Sequence, residues 1–139
     1  MAGHAGLDSE SVEQRLVIEE AFINKLKTLN KDEFLEYWNS LDLFKHDLAI
    51  SSESYDKAVL INMFKEFGLS KQKNYTETIK RESGKIVWVN GIKDNKYSEY
   101  CKKEIEPLGV ECIYLPCGHR LLQNEQEILE IIKNKVAQL

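Results

Sequence analysis

Two short apolar runs in the last third of the chain constrain its fold more than any other feature. Ile86-Val87-Trp88-Val89 follows a Ser-Gly break, and Val110 to Leu115 ends at Pro116. Each is short and bounded by turn residues, so both read as strands. Between them, Gly91 to Asn95 is a polar loop, and Tyr97 to Glu106 is helical in pattern and stops before Pro107. Asn124 with Glu127 starts a last helix whose apolar stripe is Ile128, Leu129, Ile132 and Val136. The order strand, loop, helix, strand, loop, helix is an α/β pattern, a βαβα unit with parallel strands and a right-handed crossover. Strands that are apolar throughout are covered on both faces. Two parallel strands cannot cover themselves in this way, so the pattern calls for further strands, and nothing upstream clearly supplies them.

The preceding residues are helical in pattern. Ser11-Val12-Glu13-Gln14 matches a capping box, and Val12, Leu16, Phe22, Ile23, Leu26 and Leu29 recur near helical spacing. Asn30 caps a second helix carrying Phe34, Leu35 and Trp38, and Leu41 to Ser52 is a connector anchored by Leu43, Phe44 and Leu48. A third helix is expected from Glu53 to Phe67, with Tyr55, Val59, Met63 and Phe67 near one face and Gly68 as its C′ stop. A short fourth helix is expected over Lys71 to Arg81. The expected division is therefore a helical cap or lid region over residues 1–84 and the βαβα core over residues 85–139.

Composition narrows the functional classes. The 139 residues make one domain's length, and 42% hydrophobic with 30% charged residues argues against disorder. A net charge of −4 argues against a nucleic-acid or anionic-membrane partner. No apolar run approaches the roughly 20 residues of a membrane helix, and Met1 to Leu7 lacks the regions of a signal peptide. Three cysteines, an odd number, fit a reducing cytoplasm better than a disulfide scaffold.

The chemistry-bearing residues collect after the two strands. Asp94, in Gly91-Ile92-Lys93-Asp94, lies just past the carboxyl end of the first, where ligands and catalytic groups of open α/β sheets gather. An Asp in such a turn also caps the helix that follows. His119, after Gly118, lies at the same edge of the second strand and suits a general base, although a loop histidine is often simply solvated. The pair says more than either member. Parallel βαβ geometry brings both to one edge, which is the acid–base half of a Ser-Asp-His triad in α/β-hydrolase order. Their side chains are expected within hydrogen-bonding reach. The glycines, at positions 3, 6, 68, 84, 91, 109 and 118, exclude a Gly-x-Ser-x-Gly elbow, a dinucleotide Gly-x-Gly and a Walker A loop.

Other candidates carry less. Cys112, Cys117 and His119 match no standard zinc spacing, so no metal is expected. Cys101 and Cys112 read as buried small hydrophobes, and Cys117 lies beside the candidate site. Lys71, Lys73, Lys80, Arg81 and Lys85 form a solvated basic stretch. Tyr37, Trp38, Phe44 and Tyr55 read as helix core, or as the lining of an apolar pocket if the helices form a lid.

These residues resemble the C-terminal part of α/β-hydrolase-fold proteins, and most of all the 2-succinyl-6-hydroxy-2,4-cyclohexadiene-1-carboxylate synthase family of menaquinone biosynthesis. Trp88 to Tyr97, Leu115-Pro116-Cys117-Gly118-His119 and Glu125 carry the general half of the resemblance. Gly3-His4-Ala5-Gly6-Leu7, with alanine where the family usually has proline, and Phe34-Leu35-Glu36-Tyr37-Trp38 with Leu43-Phe44 carry the specific half. The resemblance implies a helical cap followed by the C-terminal parallel βαβα of the hydrolase sheet, the N-terminal half of that fold being absent from these residues. It implies Asp94 as triad acid, His119 as triad base, Arg15 as a substrate-carboxylate ligand and Trp38 as pocket lining. It also implies a lyase that eliminates pyruvate without a cofactor. Without its serine, the chain as given would be inactive alone.

Two further readings stand beside this one: an esterase-type α/β hydrolase, and a non-catalytic α/β binding module. The partner expected for a completed fold is a small-molecule carboxylate. Self-association through the exposed sheet edge is left open.

Overall fold

The computed structural model describes residues 3–51 and 56–137. The chain divides into two compact units. One consists of His4–Leu41 with Ala49–Thr78 and is helical, and the other consists of Asp42–Leu48 with Ile79 onward and holds the sheet. The connector 42–48 thus groups with the sheet unit, which resumes at Ile79.

In the helical unit, α1 (Ser9–Thr28) starts earlier than the capping box at Ser11 predicts, because Asp8 is the N-cap and its carboxylate accepts the Ser11 N–H at 2.8 Å. α2 (Lys31–Asn39) starts where expected. Asn30 and Glu33 bond each other's backbone N–H groups at 3.0 and 2.8 Å in a reciprocal box. α3 (Lys57–Phe67) is capped by Asp56, and the expected start at Glu53 and the position of Tyr55 lie outside the described residues.

The face of α3 differs from expectation. Val59, Met63 and Phe67 are 56%, 52% and 82% exposed. Phe64 turns inward instead, stacked on Phe22 with centroids 5.7 Å apart and edge-on to Trp38 at 5.9 Å. Leu60 and Phe64 form a second apolar stripe on α3 at the same helical period, and periodicity alone does not decide which stripe meets α1. Gly68 ends α3, but at φ −57° rather than in a left-handed cap. It is glycine for space, since a Cβ there would stand 2.4 Å from Glu19 Oε2 and 2.6 Å from the Phe64 carbonyl.

The expected fourth helix is interrupted. A 3-10 turn, Leu69–Lys71, precedes α4 (Thr76–Arg81). The stretch between them bonds the N-terminal segment: the Tyr75 N–H donates to the Ala5 carbonyl at 2.6 Å, and the Gln72 amide donates to the His4 carbonyl at 2.7 Å. Gly6 lies against it with φ 111°, where a Cβ would fall 2.4 Å from Asn74 Cα. Both the left-handed φ and the close approach require glycine.

In the sheet unit, β1 (Val87–Gly91) and β2 (Glu111–Leu115) pair in parallel, with Val87 opposite Glu111 and Gly91 opposite Leu115. Among the described residues the sheet has these two strands. The connecting helix is wound three ways: α5 (Asn95–Tyr100), a π turn over Cys101–Ile105, and a 3-10 turn over Glu106–Leu108 that ends at Gly109 with φ 81°. After β2 comes α6 (Glu125–Val136), preceded by Asn124, whose side chain makes no cap bond. Ile128 and Ile131 of α6 pack on Leu115, Cys117 and Leu121 together with Val89 and Ile113. The expected stripe is therefore corrected: Leu129 and Ile132 are 44% and 51% exposed. Their neighbour Ile131 takes the inward position, about 100° round the helix. Among the described residues no helix is long and apolar enough to cross a membrane.

Candidate active site

The turn after β1 and the loop after β2 are zipped together by main-chain bonds that continue the parallel ladder. The Ile92 N–H donates to the Leu115 carbonyl at 2.8 Å, and the Lys93 N–H donates to the Cys117 carbonyl at 3.0 Å. Such close approach demands glycine at the strand end. A Cβ on Gly91 would fall 1.9 Å from the Gly118 carbonyl oxygen and 2.5 Å from that of Cys117.

The zipped loops bring Asp94 and His119 together. Asp94 Oδ2 lies 2.6 Å from His119 Nδ1. Oδ1 of the same carboxylate accepts the Tyr97 N–H at 3.2 Å and caps α5. Capping and pairing with histidine, alternatives in the sequence, are thus served by one carboxylate with two oxygens. The Asp94 side chain is 1% exposed and that of His119 is 19% exposed. Bonding through Nδ1 leaves Nε2 on the opposite side of the ring, the side from which an imidazole can exchange a proton with a substrate or a nucleophile. The ring lies between Tyr97, at a centroid distance of 4.9 Å, and Phe44, edge-on at 5.5 Å.

The 42–48 segment completes this surround. The His119 backbone N–H donates to Asp47 Oδ2 at 3.1 Å. The Arg120 guanidinium donates to the Leu48 carbonyl at 2.6 Å and lies over the Phe44 ring at 4.2 Å. Gln123 bonds both backbone groups of Leu48, accepting the N–H at 2.9 Å and donating to the carbonyl at 2.8 Å. Nothing in the sequence marked Asp47 or Gln123, because their partners lie more than seventy positions away. A cavity of about 210 Å³ opens beside Asp94, with Lys93 and Lys96 among its lining residues.

The cysteines are not reactive candidates. Burial pushes the Cys117 thiol up from its ordinary value, and the nearby Asp47, Glu127 and Asp94 carboxylates add to it, so the thiol stays protonated at neutral pH. Cys101 and Cys112 lie with sulfurs 3.1 Å apart, and burial first, then Cys101, pushes the Cys112 thiol up to about 12. All three are free thiols. Among the described residues no group of three His, Cys, Asp or Glu side chains is placed to hold a metal ion.

Arg15 and Trp38 both belong to the helical unit. Arg15 Nε donates to Glu19 Oε1 at 2.7 Å across one helical turn. Glu19 is 3% exposed and also accepts from the backbone and hydroxyl of Ser70. Burial raises the Glu19 carboxyl, but the bonds from Ser70 and Arg15 outweigh it and hold the group below its ordinary value. The i,i+4 spacing of Arg15 and Glu19 was a signal available in the sequence. Trp38 is half-buried in an aromatic cluster, 5.3 Å from Phe22 and 5.9 Å from Phe34 between centroids.

No protein-family model and no curated protein sequence matches this chain. Among solved structures it is similar to MenH from S. aureus, with a TM-score of 0.76 and 18% sequence identity over 96% of this chain. The match spans 57% of that protein's length. The helices, the parallel strand pair and the loops that follow it are thus the C-terminal part of an α/β-hydrolase fold.

Proposed function

We propose that Asp94 and His119 are the acid and base of a Ser-Asp-His triad, in an α/β-hydrolase-fold enzyme of the 2-succinyl-6-hydroxy-2,4-cyclohexadiene-1-carboxylate synthase type. The observation that carries this reading is the 2.6 Å Asp94–His119 bond at the carboxyl ends of two adjacent parallel strands. In this scheme Asp94 holds the imidazole in one tautomer and stabilises its protonated form, while Nε2 of His119 takes the serine proton. The serine oxygen then removes a substrate proton, and pyruvate leaves as the diene forms. The sequence carries no Gly-x-Ser-x-Gly elbow, so the nucleophile comes from outside these 139 residues. Arg15 binds a substrate carboxylate and Trp38 lines the pocket. Lys93 and Lys96 at the cavity beside Asp94 suit an anionic substrate.

One observation favours an esterase-type hydrolase as the second reading: the Arg15 guanidinium is already bonded to Glu19. That bond uses Nε and not the terminal pair of nitrogens, which keeps the first reading ahead. The test is made in a complete hydrolase fold that includes these residues, with pyruvate release followed by a coupled assay. His119→Ala and Asp94→Ala are expected to lower turnover by about 10³-fold or more. Release that survives His119→Ala refutes the triad. Arg15→Ala is expected to cost about 2–5 kcal/mol of transition-state binding for a carboxylate substrate and almost nothing for a neutral ester.

A further inference from the structure

We infer that Asp47 is a positioning residue for His119, acting through the main chain of the His loop. The inference rests on the reading of Asp94 and His119 given above. A hydrogen bond from Nδ1 to Asp94 fixes the imidazole only if the backbone that carries it is fixed as well. The loop after β2 is not a regular element at that point. On one side it is held to the turn after β1 by the Lys93 bond to Cys117. On the other side its anchor is the Asp47 carboxylate.

Both oxygens of that carboxylate are engaged with the loop. Oδ2 accepts the His119 N–H at 3.1 Å. Oδ1 occupies the space over Gly118, where a Cβ would stand 2.2 Å from it. Glycine at 118 is therefore what lets the carboxylate reach the next residue's N–H. The 42–48 segment is itself pinned by Gln123 and Arg120, which follow His119 in sequence. Phe44, from the same segment, meets the imidazole edge. Loop and segment hold each other, and the histidine side chain is aimed by the clasp. The acceptor at Asp47 needs an oxygen in that position, which an asparagine amide also supplies.

The test uses the full chain with ¹⁵N-labelled histidine. His4, His46 and His119 are its three histidines, so His119→Gln assigns the signals. In the unsubstituted chain His119 is expected as the Nδ1–H tautomer, with a low-field proton that disappears in Asp94→Asn. If that signal is missing from the unsubstituted chain, the Asp94–His119 reading itself fails. If it is present, Asp47→Ala is expected to abolish it and shift the tautomer toward Nε2–H, while Asp47→Asn retains it. Gly118→Ala, which displaces the carboxylate without removing it, is expected to act like Asp47→Ala. A low-field proton that persists in folded Asp47→Ala or folded Gly118→Ala overturns the proposal, as does its loss in folded Asp47→Asn. Unfolding of Asp47→Ala overturns it too, since a residue that only aims a ring is not needed for the fold.

Discussion

Removing the Glu19 carboxylate tests how the helical unit is held and what Arg15 is committed to. Glu19 is buried and accepts from three donors: Arg15 Nε, the Ser70 N–H and the Ser70 hydroxyl. Glu19→Ala removes all three bonds and leaves Arg15, whose side chain is 24% exposed, beside a partly buried void. Breaking a buried charge pair from one side costs about 3–5 kcal/mol. Arg15→Ala is milder, because Glu19 keeps both Ser70 donors, and about 1.5–3 kcal/mol is expected for one lost bond to a charged group. For a chain of this length each kcal/mol moves the midpoint by roughly 3–5 °C, so Glu19→Ala is expected to melt about 10–20 °C lower. The assay is thermal unfolding in a Trp88→Phe background, where Trp38 fluorescence reports the helical unit. The pH dependence has a definite sign. A carboxyl held below its ordinary value of 4.5 adds stability that is fully present above that value and is lost as pH falls through the lower folded value. The parent is therefore expected to lose more stability on acidification than Glu19→Gln. A Glu19→Ala midpoint within about 2 °C of the parent, or a cost no larger than that of Arg15→Ala, refutes the reasoning.

Three further substitutions probe the sheet unit, each read from the midpoint of urea unfolding. Gly91→Ala would place a Cβ 1.9 Å from the Gly118 carbonyl, against backbone on both sides, and is expected to cost about 3 kcal/mol, at the upper end for overpacking. On α6, Ile131→Ala is expected to cost about 2 kcal/mol, since Ile131 packs on the Leu115 cluster. Ile132→Lys, at a position 51% exposed, is expected to change stability by less than about 0.5 kcal/mol. Equal effects at 131 and 132 would contradict the observed face of the helix.

Much of the architecture was legible because it rests on local rules. The strand pair, the helix between the strands and the cap at Asn30 follow from apolar runs, turn residues and capping chemistry within a few positions. The meeting of Asp94 and His119 was also legible, because parallel strands joined by one helix must end at the same edge. The errors are of another kind. α3 presents Phe64 rather than Val59, Met63 and Phe67 inward, and α6 presents Ile131 rather than Ile132. Each helix has two apolar stripes, and their period is the same whichever one meets the neighbouring element. The break between Lys71 and Thr76 was hidden because its cause is a set of bonds to His4 and Ala5 at the other end of the helical unit's sequence.

The sequence by itself therefore determined most of the elements, their order and the meeting of Asp94 with His119, all of which depend on residues close in the chain or on the parity of a βαβ unit. The tertiary structure alone decided which faces are buried, that Ser70 bonds Glu19, and that Asp47 reaches the His119 backbone. Those outcomes depend on which residues distant in sequence come within about 3 Å of one another, the reach of a hydrogen bond. No period or propensity in the sequence encodes that distance.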